Sequence, residues 1–142
     1  MTSIGVFAGV FDSEGKVLCV RHAYGERDWG MPGGQLEAGE DPLTCLHREV
    51  AEETGCSISV RHFVGAYSAA YKDDLVLLFA ADLVEAGKWE PNDEIAEIGW
   101  FDLDALPAPM AANPRLRCAD LAEGARGVMR VLSAPGVVAQ SC

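Results

Sequence analysis

Residues 34–56 read GQLEAGEDPLTCLHREVAEETGC, and the fold depends on how this stretch is parsed. Asp41 can cap free helix amides, Pro42 suits a first helical position, and Gly55 can adopt the left-handed conformation that ends a helix. The spacing therefore predicts a helix over 41–54. At about 100° per residue, Leu43, Leu46, Val50 and Thr54 form one stripe expected to pack on a sheet, and His47 falls on or beside it as a packed histidine. Glu49, Glu52 and Glu53 stand at i, i+3 and i+4, so their carboxylates crowd a neighbouring face. Like charges at that spacing repel unless a cation sits among them, and hard oxygen donors suit Mg²⁺ or Mn²⁺. Alone, REVAEE would read as a solvated acidic face. Two further features favour the metal: Arg48 can orient Glu52 four residues on, and Gly33-Gly34 let the backbone pass close to a cluster.

As a pattern, the stretch is Gly34, five residues, Glu40, seven residues, then Arg48-Glu49-Val50-Ala51-Glu52-Glu53-Thr54-Gly55-Cys56. This resembles the signature box of the Nudix hydrolases, which cleave nucleoside diphosphates linked to another moiety. Every charged and glycine position of that box is filled. The one departure is Cys56, where an aliphatic residue is usual, and a small thiol is a mild replacement. Trp29-Gly30-Met31-Pro32 also matches the family's lead into the box. The resemblance spans roughly residues 3–132. It implies an α/β fold, a Nudix-type α/β/α sandwich with a mixed sheet, and metal-dependent hydrolysis.

It also implies roles for particular residues. Glu49, Glu52 and Glu53, the carbonyl of Gly33, and Glu94 are the expected metal ligands, with Glu94 assigned by analogy to MutT-like members and Glu97 as its rival. Arg48 orients carboxylates, and Glu49, or else Glu94, takes a proton from water. Glu40 reads as a loop-ordering acid outside the direct ligands. On the substrate side, Arg21, His22 and Arg27 approach the box from the N-terminal side and could meet phosphates, with surface solvation an equally good account of each. Tyr67 and Tyr71 could stack on a base, against the plainer reading of sheet packing, and packing is the reading for Trp29. Asn113 follows the last expected strand, where MutT-like enzymes carry a base-contacting asparagine.

The 142 residues suffice for one domain, 1–142, and are short for two. Strands are expected at Ile4–Phe11 and Lys16–Arg21, as a hairpin, and near 57–71, 75–83 and 98–103. Leu121, Ala125 and Val128 suggest a C-terminal helix over about 115–132, weakened by Gly124 and Gly127. A net charge of −11 opposes binding of long nucleic acid. The first apolar run is short and has no basic lead-in, so neither a signal peptide nor a membrane span is expected. Five cysteines without CxxC spacing read as reduced thiols of a cytoplasmic protein, monomeric or homodimeric. A short chain with little added to the box fits a MutT-like enzyme converting (d)NTP to (d)NMP and pyrophosphate. ADP-ribose, nucleotide sugars and dinucleoside polyphosphates are the alternative substrates, and a non-catalytic nucleotide sensor the alternative class.

Overall fold

A computed structural model describes all residues from Met1 to Cys142. The chain forms nine strands and two α-helices: β1 (Ser3–Phe11), β2 (Val17–His22), β3 (Trp29–Gly30), β4 (Gly33–Gln35), α1 (Pro42–Thr54), β5 (Cys56–Ala69), β6 (Asp74–Ala86), β7 (Ile95–Phe101), α2 (Ala112–Ala122), β8 (Val128–Ala134) and β9 (Val137–Ser141).

The sheet is mixed and β1 is its centre. One edge of β1 pairs in parallel with β6 along its whole length, from Ser3↔Asp74 to Phe11↔Asp82. Its other edge pairs antiparallel with β4, at Gly5↔Gln35, Val6↔Gly34 and Phe7↔Gly33. Both strands of the expected hairpin are present, but they share a single pair, Phe11↔Val17. With both edges of β1 taken, β2 diverges to pair with β7 and β3 instead. Beyond β6 lie β5, β8 and β9.

Alternation along β1 assigns its two faces. Val6, Ala8 and Val10 join Cys45, Leu46 and Val50 of α1 in one core, while Phe7 and Phe11 pack on a second core containing Cys118 and Leu121 of α2. Gly9 lies directly under Leu121, where a Cβ would collide with the leucine methyls. One helix therefore covers each face, which makes the fold an α/β/α sandwich.

The caps of α1 form as the sequence requires: Asp41 Oδ1 accepts from the Thr44 amide at 2.9 Å, and Gly55 takes φ 72°. The buried stripe is Cys45, Leu46, Val50, Glu53 and Thr54. Leu43 and His47 do not belong to it. The first turn projects beyond the packed layer, leaving Leu43 46% exposed, and His47 faces solvent. The expected C-terminal helix is also shorter than its spacing suggested. It runs from Ala112 to Ala122, Gly124 adopts φ 71°, and residues 128–134 extend the sheet in parallel with β5. Gly65 permits that pairing, because a side chain there would strike Val128.

Candidate metal and nucleotide site

The C-terminal half of α1 meets the Gly33-Gly34 strand edge-on. Glu53 lies on the buried stripe, 8% exposed, and its Oε1 accepts a hydrogen bond from the Gly33 amide at 3.1 Å. A Cβ on Gly33 would run into the Val6 carbonyl, and one on Gly34 would stand 2.5 Å from the Glu49 carboxyl carbon. Only glycine admits this approach. Burial, and then the neighbouring charges of Glu49, Glu94 and Glu52, push the Glu53 carboxyl up to about 8, although the Gly33 amide opposes the shift. Burial also raises Glu49, against the pull of Arg48.

Arg48 is the hub of the acidic cluster. Its Nε and Nη2 clamp Glu40 at 2.7 and 2.9 Å, while Nη1 donates to Glu49 at 3.0 Å and to Glu52 at 3.3 Å. The orienting role expected toward Glu52 is thus one contact among several, and the two-point fork on Glu40 is the tightest. Glu40 also accepts from the Glu37 amide at 3.2 Å, tying the box loop to the helix. That hydrogen bonding, chiefly from Arg48, holds the Glu40 carboxyl down to about 2.

No three acidic side chains already converge on one point. Glu49 and Glu52 are turned toward Arg48, and Glu53 toward Gly33. The donor set nonetheless suits a hard divalent cation that takes much of its shell from water and phosphate. The carboxylates are oxygen donors, they raise one another's pKa, and the buried one is stabilised in its charged form by a cation.

A cleft of about 870 Å³ opens beside this cluster, and Gly33, Glu49, Glu53 and Glu94 line one part of it. Glu94 precedes β7, and its carbonyl accepts from the Ala23 amide at 2.8 Å. Its rival Glu97 points elsewhere, paired with Arg21 at 3.1 Å. Tyr71 and Asn113 also line the cleft, joined by a 3.0 Å bond from Asn113 Nδ2 to the Tyr71 hydroxyl. His22 lines it too.

Arg21 and Arg27 do not. Arg21 bonds Glu97 and the Arg27 carbonyl, and Arg27 reaches back to the Ala23 carbonyl in its own loop, which favours the surface reading of both over phosphate contact. Tyr67 and Trp29 are core residues, 1% and 7% exposed.

The model of the NUDIX domain matches residues 1–120. The chain belongs to the Nudix family. It is similar to a MutT-like protein of Streptomyces ambofaciens, 31% identical over 123 residues that make up 87% of this chain and 79% of the relative. A putative 8-oxo-dGTP diphosphatase of Bacillus subtilis is 26% identical over 98% of this chain and 93% of its own length. Identity reaches 38% with the NAD-capped RNA hydrolase NudC of Pseudomonas aeruginosa, but over 80 residues, so that this chain spans 28% of that protein. Among solved structures, an ADP-ribose pyrophosphatase of Streptococcus suis superposes with a TM-score of 0.73 at 22% identity, covering 92% of this chain and 99% of the other. A MutT Nudix hydrolase of Burkholderia pseudomallei gives 0.74 at 21%, covering 85% and 98%. These two establish likeness of fold. As a Nudix protein with MutT-like relatives, the chain is a pyrophosphohydrolase acting on acid anhydrides, and enzymes of this family generally use divalent metals.

The Nudix cleft includes residues that the sequence did not single out: Phe7, Tyr24, Lys72 and Arg117. Arg117 is 8% exposed, its Cζ lies 5.3 Å from the Phe7 ring centroid, and its Nε has no hydrogen-bond partner. Its burial was readable only in part. Arg117 precedes Leu121 by four residues and so shares the buried side of the helix, but charge at that position suggested surface.

Proposed function

We propose that this enzyme hydrolyses a nucleoside triphosphate, (d)NTP, to (d)NMP and pyrophosphate, with Mg²⁺ as its metal and Mn²⁺ as a substitute. One observation carries the reading: a single cleft is acidic at Glu49, Glu53 and Glu94 and lined elsewhere by Phe7, Tyr71 and Pro114, as a nucleotide with metal-bound phosphates requires. The extensive match to a MutT-like relative supports it.

Glu49, Glu52, Glu53, the Gly33 carbonyl and Glu94 would hold the metal, which when bound supplies Lewis-acid stabilisation of phosphate oxygens and an acidified water. Arg48 keeps Glu49 and Glu52 oriented and itself remains fixed by Glu40. Water attacks phosphorus, the bond to the bridging oxygen breaks, and the proton from water passes to Glu49. Glu49 is suited to that role because it lines the cleft and is held by Arg48, while burial raises its carboxyl above the ordinary value. The substrate is a small nucleotide, and the five unpaired cysteines support a cytoplasmic setting. No helix is long and apolar enough to cross a membrane.

The test is phosphate release with added inorganic pyrophosphatase, with and without Mg²⁺, on NTPs, dNTPs, ADP-ribose, nucleotide sugars and dinucleoside polyphosphates. Alkaline phosphatase is added for the last three. Mg²⁺-dependent release from triphosphates is expected. Cleavage of ADP-ribose or a nucleotide sugar with triphosphates untouched would reject the substrate while leaving the reaction class intact.

A further inference from the structure

A side chamber of about 220 Å³ adjoins the main cleft and shares Phe7 and Arg117 with it. His22, Asp28 and Arg117 are the ionisable residues that line this chamber, and no hydrogen bond or ion pair within the protein engages their side chains. Arg117 is buried, forms no ion pair, and has no acceptor for its Nε. Asp28 contributes its backbone carbonyl to the His22 amide, but its carboxylate makes no hydrogen bond or ion pair with the protein. The other walls include Trp29, Met31 and Pro114, which are apolar and broad.

A buried arginine whose Nε finds no acceptor is costly, so its retention points to a ligand that supplies one. The chamber therefore asks for a flat group with adjacent acceptors on one edge and donors on the next. Guanine has that order: O6 and N7 accept, while N1–H and N2–H₂ donate. Adenine would set its N6 amino group against the guanidinium and its N1 lone pair against the carboxylate. Asn113 is not free to take over this readout. Its Oδ1 accepts from the Gly136 amide at 2.7 Å and its Nδ2 donates to Tyr71.

We propose that Arg117 and Asp28 select guanine as the base of the substrate, Arg117 donating to O6 and N7 and Asp28 accepting from N1–H and N2–H₂. The proposal rests on the triphosphate reading for the placement of phosphates: Phe7, which walls the chamber, pairs with Gly33, whose amide holds Glu53. The same geometry distinguishes guanine from its 8-oxo form, in which N7 carries a proton and can no longer accept.

Two measurements keep this proposal separate from the triphosphate reading. The first is equilibrium binding of dGMP, dIMP and dAMP, which needs no turnover; the second is kcat/KM for dGTP, 8-oxo-dGTP and dATP. The wild type should bind dGMP at least about 10-fold more tightly than dAMP, and kcat/KM should favour dGTP over both other triphosphates. Arg117→Met should cut the dGMP to dAMP ratio severalfold, and Arg117→Met combined with Asp28→Ala should bring it close to one. Arg117→Lys, which keeps the charge and loses the fork, should erode it. Asp28→Ala should narrow the gap between dGMP and dIMP, which lacks the 2-amino group. If both bases bind alike, if the ratio survives Arg117→Met and Arg117→Lys, or if 8-oxo-dGTP is the better substrate, the proposal fails even where triphosphates are hydrolysed. If the monophosphate preference behaves as described but no triphosphate is cleaved, the chamber assignment stands and the triphosphate reading falls.

Discussion

Glu52 separates chemistry from folding better than the other helix carboxylates, because its side chain is 60% exposed and Glu53 is buried. Glu52→Gln preserves shape and removes a charge, so it should lower kcat by about 100-fold or more in Mg²⁺. The melting temperature should scarcely move, since exposed substitutions usually stay within about 0.5 kcal/mol. A folded variant with near wild-type turnover would remove Glu52 from the metal site. The buried thiols make a second prediction. Burial pushes Cys19 up to about 12 and Cys118 up to about 11, from an ordinary 9.0. A pKa raised in the folded state means that the unfolded chain loses the proton first, so this stabilisation is complete below pH 9 and disappears as pH rises through the folded values. Each thiol should weaken the fold by up to about 1.4 kcal/mol per pH unit between those limits. Urea melts from pH 8 to 11 should show a steep alkaline decline that becomes shallower in Cys19→Ala/Cys118→Ala. An unchanged slope would count against the assignment.

At the level of elements, α2 matters because it carries both Asn113 and Arg117, and a buried network holds it in place. The Tyr67 hydroxyl donates to Asp120 Oδ2 at 2.9 Å, while Arg130 contacts both Asp120 oxygens at 3.1 and 2.9 Å, so β5, α2 and β8 meet at one carboxylate. Asp120→Ala would leave a tyrosine hydroxyl and a half-buried guanidinium without their acceptor. It should cost about 2–4 kcal/mol in chemical denaturation, less than a fully buried pair because Arg130 reaches solvent. A loss within about 0.5 kcal/mol would show that α2 is held by its apolar contacts alone. This part of the molecule was also the least legible in the sequence. The ends of α1 could be read because a cap, a proline and a glycine mark them chemically. The run Val128-Met-Arg-Val-Leu carries no such marks, and its strand state depends on a parallel partner more than sixty residues upstream. Similarly, Glu49 and Glu53 could be singled out because a motif records them, with Gly33 beside it, whereas Glu94 lies outside the motif and rested on analogy, with Glu97 as its rival. For Arg21 and Arg27 the sequence left phosphate contact and surface solvation open, because proximity in sequence to the box does not fix direction in space, and Arg117 went unnoticed because it reaches the cleft from a distant helix.

For the whole molecule, charge sets how substrate arrives. The chain carries a net charge of −11 and meets an anionic substrate in a cleft with Glu49, Glu53 and Glu94 along its wall. Its long-range field therefore opposes the approach of free nucleotide, and on the proposed reading attraction is confined to short-range contacts inside the cleft, from side chains and from the metal that the carboxylates would hold. Screening should relieve that repulsion. At fixed saturating Mg²⁺, kcat/KM for the preferred triphosphate should hold steady or rise modestly as NaCl increases from about 20 to 200 mM, a range that shortens the Debye length from roughly 20 to 7 Å. A surface built to track a polynucleotide backbone behaves in the opposite way, because each phosphate contact releases counterions and affinity falls steeply with salt. Stopped-time assays across that range, paired with titration of a labelled 30-nucleotide RNA, distinguish the two. A steep loss of kcat/KM with salt, accompanied by salt-sensitive RNA binding, would mean that a basic track outweighs the net charge and that the substrate is larger than a free nucleotide.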